Sequence, residues 1–241
     1  MLPLKDLNPT RRIPFITYSL ILINVVVFIW TLLQPAAELQ GIFMQLSVVP
    51  INITQNPLAL ETPLDIIRSM FFHGGWLHLL SNMLYLWLFG DNVEDRMGTV
   101  LYIILYFFSG IAAAFSQILI DPYSRIPLIG ASGAIAGVLG SYLLLFPGVR
   151  VRGIIPLGRY IRIADWPAWA VLVMWFALQL IYAVLSIVAG AGESGGVAFF
   201  AHVGGFVFGM LYTWIFMKLV PQPPIEQRRD VLYERAERYR Y

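Results

Sequence analysis

Apolar runs broken by short polar or charged stretches dominate the chain, and their lengths cluster near one value. Six of them, at about residues 13–33, 70–90, 99–120, 130–147, 166–189 and 197–219, come close to the ~20 residues needed to cross a hydrocarbon core about 30 Å thick. The pattern predicts six membrane-spanning helices. Lys5, Arg11 and Arg12 precede the first run, as they would in a secretory signal. Its apolar stretch "IPFITYSLILINVVVFIWTLL" nevertheless exceeds the roughly 7–15 residues of a signal core, so we expect a retained span.

The polar interruptions orient these helices. With the N-terminus placed inside, fourteen of the 16 Lys and Arg residues fall on the inner side, and only Arg68 and Arg125 fall outside. Positive charge concentrates on cytoplasmic loops in this way, so both termini are expected to be cytoplasmic. The expected organisation is an N-terminal segment over 1–12, one membrane domain over 13–220 and a polar tail over 221–241. No internal repeat of the inverted kind found in many transporters is evident.

Two connections stand out. The outer one after span one, "QPAAELQGIFMQLSVVPINITQNPLALETP", is too apolar for an ordinary loop and should rest in the interface. Asn52 in it begins a three-residue glycosylation-type match, a common chance occurrence. The inner one, "PGVRVRGIIPLGRYIRIADWP", carries four arginines, and its Asp165 and Pro167 resemble a helix cap and first turn. The tail "IEQRRDVLYERAERYRY" reads as a solvated end that helps fix topology.

Composition agrees with lipid: 59% of residues are hydrophobic and 12% charged, against about 25% charged in a soluble domain. A formal charge of +2 gives no reason to expect nucleic acid. The absence of cysteine excludes a thiol nucleophile, a disulfide framework and any thiolate metal site.

Polar groups inside spans are costly and survive where they pair or act. All three histidines, His73, His78 and His202, belong to the second and sixth segments, and no Asp or Glu occupies the middle of any span. Spans two, four and six all start outside. His78, Asn82, Ser132 and His202 therefore share one depth below the outer surface, although they come from three helices. His78 and Asn82 are four apart and project from one helical face. Gly133 to Gly137 and Gly205 to Gly209 both match GxxxG, which permits close backbone approach and so a meeting of Ser132 with His202.

A histidine beside a serine hydroxyl can take its proton and make it a nucleophile. Attack on an amide carbonyl then needs donors for the oxyanion, and His78, Asn82 and backbone N–H groups around Ser132 are candidates. No carboxylate lies at this depth, so a Ser–His dyad is expected rather than a triad. His73, at the outer boundary, reads as interfacial or structural. A zinc site lacks an HExxH pair and an intramembrane carboxylate, and an aspartyl mechanism lacks its two acids. Neither metal nor cofactor is expected.

At these residues the chain resembles the rhomboid family of intramembrane serine proteases. The resemblance rests on "HGGWLHLLSN" with His78 and Asn82, "GASGAIAG" around Ser132, "AHVGGFVFG" with His202, and "VEDRMG" with Glu94, Arg96 and Gly98. It covers about residues 60–215 in the family's order. It implies an all-α bundle of six transmembrane helices with a short, sunken fourth helix and a water-filled cavity. It further implies Ser132 as nucleophile, His202 as general base, and His78 and Asn82 in the oxyanion hole. Gly133, Gly137, Gly205 and Gly209 would serve packing near the site. Substrates would be transmembrane segments of other proteins, cut near their outer end, and "GAGESGGVA" over 190–198 would cap the site.

Two positions depart from the pattern. Well-known members carry a tyrosine four residues after the nucleophile, stacked on the base, where this chain has Ala136. Another group must orient His202, and an aromatic from another helix is one source. The Trp-Arg pair of many first outer loops is also missing from "LDIIRSMFFH", so loop contacts are not carried over. The alternatives are a rhomboid-like pseudoprotease that binds transmembrane helices without cutting them, and a transporter or channel. A compact chain of this kind suits a prokaryotic plasma membrane; substrate and oligomeric state are not specified by the sequence.

Overall fold

A computed structural model describes residues 2–157, 160–188 and 198–221. In chain order its elements are β1 (Leu2–Asp6), α1 (Phe15–Leu32), α2 (Ala36–Leu46), α3 (Pro50–Gln55), α4 (Thr62–Ser69), α5 (Trp76–Met97) and α6 (Thr99–Ile120). There follow α7 (Ser132–Leu145), β2 (Arg150–Leu157), β3 (Tyr160–Pro167), α8 (Ala168–Val188) and α9 (Phe199–Leu219). Four of these, α1, α6, α8 and α9, are long and apolar enough to cross a membrane. Their outward faces carry large apolar side chains such as Leu22, Val26, Leu119, Val184, Leu185 and Trp214. Apolar patches on that scale mark a surface that meets lipid or protein rather than water.

Two apolar runs differ from those four. The second run becomes the 22-residue α5, which starts at Trp76 rather than near residue 70. Its last turns carry Asp91, Glu94, Asp95 and Arg96. The fourth run becomes the 14-residue α7, about 21 Å long at 1.5 Å per residue. Every residue of α7 from Gly133 to Tyr142 is buried. A helix apolar on all sides belongs at the centre of its bundle, and α5, α6 and α9 surround this one.

The acids at the end of α5 hold the start of α1. Pro14 at the α1 N-cap provides no side-chain cap. The first N–H groups of a helix have no partner within it. Here Ile16 N–H and Thr17 N–H donate to the Glu94 carboxylate at 2.9 and 2.8 Å, and the Thr17 hydroxyl adds a third bond at 2.8 Å. An anion at a helix N-terminus also meets the positive end of its dipole. Asp95 accepts the N–H groups of Arg11 and Arg12 at 3.0 and 3.1 Å. Gly98, at φ +81°, makes the sharp turn from α5 into α6 in the left-handed region that glycine tolerates. The "VEDRMG" segment is thus the end of a helix and the joint that follows it.

The expectation of helices alone needs amendment. Three antiparallel strands form one sheet in the order β1-β2-β3, built from the N-terminal segment and the arginine-rich connection. The register pairs Arg152 with Asp165 and Lys5 with Arg152, and it slips between Pro3 and Lys5. Asp165 is therefore a strand residue, not a helix cap. Its carboxylate takes a bidentate bond from Arg152 at 2.7 and 2.9 Å, which holds it below the usual carboxylate range. Pro167 closes β3 and the helix begins one residue later. Asp6 at the end of β1 is buried and accepts from Asn92 at 2.7 Å and from the Tyr142 hydroxyl at 2.9 Å. The strand is thereby tied to α5 and α7. The cap proposed over 190–198, apart from Ala198, and the tail beyond Pro221 lie outside the described residues.

Candidate active site

Ser132 is the first residue of α7, and the chain leading to it is tied to the segment between α1 and α5. Leu128 N–H donates to Val48 C=O at 2.7 Å, and Gly130 N–H donates to Ser69 C=O at 2.8 Å. Gly130 has φ +125°, a backbone conformation that an L side chain rarely adopts. A Cβ there would lie 2.7 Å from His78 Nε2 and 3.6 Å from Ser132 Oγ. The glycine before the serine thus lets the chain turn and leaves His78 its space. The first N–H groups of α7 have no acceptor within the helix.

Helices α7 and α9 approach through their glycines. A Cβ on Gly209 would lie 2.6 Å from both Gly137 Cα and its carbonyl carbon, and one on Gly205 would lie 3.0 Å from the Gly133 carbonyl carbon. A Cβ on Gly133 would meet Ala113 Cβ of α6 at 2.5 Å. Ser141 donates across the same interface to Gly209 C=O at 3.2 Å, and Thr213 donates to Ser141 at 2.7 Å. Ser141 therefore bonds the neighbouring helix, while Ser116 and Ser186 bond carbonyls of their own helices.

This close packing brings Ser132 Oγ within 2.7 Å of His202 Nε2. The other ring nitrogen, Nδ1, lies 2.8 Å from Oε1 of Gln179 on α8. Trp175, one turn before Gln179, sets its ring 5.9 Å from that of His202 at 36°. Phe199 meets the same imidazole edge-on at 6.4 Å. Trp175 also packs on Phe206 at 6.0 Å. Position 136 is filled by a fully buried alanine, so an aromatic on α8, not one on α7, lies beside the imidazole. The sequence reading missed Gln179 and Trp175. Their signal was present: a lone amide inside an apolar span, four residues after a tryptophan, falls under the rule that intramembrane polar groups have partners.

His78 and Asn82 lie one turn apart on α5. Asn82 is buried and donates to the His78 carbonyl of its own helix at 2.8 Å. One N–H of its amide is free of that bond. His78 Nδ1 accepts from Gly74 N–H at 3.4 Å, and its Nε2 faces Gly130 beside the serine. His73 sits in the turn before α5, fully buried, with its ring 4.9 Å from that of His78. Its Nδ1 lies 3.3 Å from Phe71 C=O. Among the described residues no group of three or more His, Asp or Glu side chains converges as metal ligands would.

The family model described as the Rhomboid domain matches residues 61–219. The chain belongs to the rhomboid family. This rhomboid is 32% identical over 228 residues to Rhomboid protein 1, mitochondrial, of Saccharomyces cerevisiae, which covers 89% of this chain and 56% of that protein. It is 29% identical over 164 residues to Presenilin-associated rhomboid-like protein A, mitochondrial, of Danio rerio, covering 66% of this chain and 39% of that one. Rhomboid protease GluP of Bacillus subtilis shares 36% identity over 78 residues, 32% of this chain and 15% of its own. The chain thus spans about half the length, or less, of these relatives. Family and apolar helices together make the rhomboid an integral, multi-pass membrane protein. The expectation of a prokaryotic plasma membrane gains no support, since relatives named as mitochondrial match alongside a bacterial one.

Proposed function

We propose that this rhomboid is an intramembrane serine endopeptidase that cleaves transmembrane segments of other membrane proteins near their outer end. The observation that carries the reading is the 2.7 Å approach of Ser132 Oγ to His202 Nε2 at the head of a helix too short to fill the membrane. In the proposed reaction His202 Nε2 takes the hydroxyl proton as Ser132 attacks the scissile carbonyl. The oxyanion meets the N–H groups that open α7, with the positive end of that helix dipole behind them. His78, beside Gly130, and the free N–H of Asn82 are the side-chain donors on the α5 side. His202 then returns its proton to the leaving amine, and water, activated by the same imidazole, releases the acyl group.

Six spans and cytoplasmic termini belong to this proposal. Charge asymmetry supports the orientation, and α5 and α7 supply the fifth and sixth crossings. Membership of a family with members named as proteases supports the activity.

The test uses protein purified in detergent, a fluorophosphonate probe and a model transmembrane substrate. Ser132→Ala should abolish labelling, and Ser132→Ala and His202→Ala should each lower cleavage by at least about 10³-fold, with a chelator having no effect. Cleavage that persists in Ser132→Ala would sink the mechanism. Substrate binding without labelling or cleavage by the wild type would assign the chain to the non-cutting alternative.

A further inference from the structure

The geometry points to Gln179 as the residue that fixes the tautomer and orientation of His202, making the proposed site a Ser–His pair with a positioning amide rather than a bare dyad. The inference rests on the endopeptidase reading and adds a group that sequence motifs do not contain. A general base that accepts the Ser132 proton at Nε2 must keep its lone pair there. In the neutral ring the proton then sits on Nδ1. That N–H is buried with the rest of His202, which is 8% exposed, and a buried donor without an acceptor is costly. Gln179 Oε1 at 2.8 Å is the acceptor the required tautomer needs. In the opposite tautomer the amide would have to turn its NH2 toward Nδ1, and the proton on Nε2 would leave no lone pair there to take the Ser132 proton.

The identity of the residue fits its surroundings. An ionised carboxylate in this place would carry a large desolvation cost in an apolar bundle. An amide supplies the same acceptor oxygen without charge. Gln179 is also held in position by its own helix. Trp175, one turn away on the same face, packs on His202 and Phe206 at 5.9 and 6.0 Å, and Phe176 stacks on Phe206 at 4.4 Å. The imidazole is therefore fixed by a hydrogen bond at its Nδ1 edge and a ring against its side, both from α8. This shell occupies the role left open by Ala136.

Gln179 is a positioning residue, so its test needs a readout that folding alone would not move. Gln179→Met keeps length and volume and removes the acceptor, whereas Gln179→Glu keeps an acceptor oxygen in either protonation state. We expect Gln179→Met to lower kcat by at least about 10-fold, less than the roughly 10⁴-fold that follows loss of a charged orienting group, with KM within twofold. Gln179→Glu should lose less kcat than Gln179→Met, because an acceptor oxygen remains although the buried acid carries a desolvation cost. With only three histidines, 15N-histidine labelling resolves His202 by difference from His202→Ala. The wild type should show Nδ1 protonated and Nε2 bare, and Gln179→Met should show a mixture. Wild-type kcat in Gln179→Met, equal losses in the Met and Glu variants, or an unchanged tautomer spectrum each overturns the assignment. If Ser132→Ala is dead while Gln179→Met turns over normally, only the role of Gln179 fails. If Ser132→Ala still cleaves, the endopeptidase reading fails and takes this inference with it.

Discussion

Gly205→Ala tests whether helix contact builds the site. Gly205 lies one turn after His202 on α9 and faces Gly133, the residue after Ser132 on α7. An added Cβ would lie 3.0 Å from the Gly133 carbonyl carbon, where carbon–carbon contacts normally settle at about 3.5–4.0 Å. The carbonyl oxygen is nearer still. The obstacle is backbone, so no rotamer relieves it, and with the oxygen as the nearest atom α7 and α9 must separate by about 1 Å or more at this level. Ser132 and His202 ride on those backbones one turn or less away. Their 2.7 Å bond would lengthen past the 3.5 Å or so at which hydrogen bonding lapses. A misplacement of about 1 Å can cost on the order of 10²-fold in rate, and overpacking costs about 1–3 kcal/mol of stability.

The assay is steady-state cleavage of a transmembrane substrate in detergent, with the thermal midpoint measured in parallel. Gly205→Ala should lose kcat by about 10²-fold and melt earlier. Gly41→Ala, whose added Cβ meets nothing within 4 Å, should match wild type in rate. Wild-type kcat in a folded Gly205→Ala protein would refute the claim that glycine contact sets the Ser–His distance.

Three further outcomes follow from the end of the bundle that carries the sheet and from the α7–α9 seam. Burial, and then the nearby Asp91 carboxyl, push the Asp6 carboxyl up to about 8. The folded state therefore holds a proton that the unfolded chain, near 3.9, releases. The Asp6 contribution is full below about pH 4 and is lost as pH rises through 8. The melting temperature should fall between pH 5 and 9, and Asp6→Asn should flatten that slope; an identical slope in both proteins would refute the protonated carboxyl. Glu94→Ala removes three bonds at the start of α1 and should cost about 2 kcal/mol or more, read as a lower melting temperature, while the folded fraction keeps its Ser132 labelling rate. Thr213→Val removes the bond to Ser141 and should cost about 0.5–1 kcal/mol, with denaturation in mixed micelles as the measure.

Much of this protein follows from its sequence for one physical reason: lipid cannot solvate charge or bare polar groups. Apolar length therefore predicts helices, arginine placement predicts an orientation for them, and the few polar residues left inside stand out. Ser132, His202, His78 and Asn82 stood out because the expected topology puts them at one depth, and the structure brings Ser132 and His202 to 2.7 Å of each other. The glycines of α7 and α9 were legible as a packing pattern, and the structure gives them the close approach that pattern allows. Other features depended on long-range geometry. The sheet joins residues 2–6 to a connection almost 150 positions later, and nothing local marks Asp165 as a strand residue rather than a cap. Glu94 bonds a helix start 77 residues away, a partner no spacing rule names. Gln179 and Trp175 were visible as a lone amide and an aromatic on one face of α8. Which helix meets His202, and from which side, is decided only when α8 packs against α9. Hydropathy sets the depth of a side chain, but its azimuth around the bundle comes from tertiary packing, and the support for His202 depends on that second coordinate.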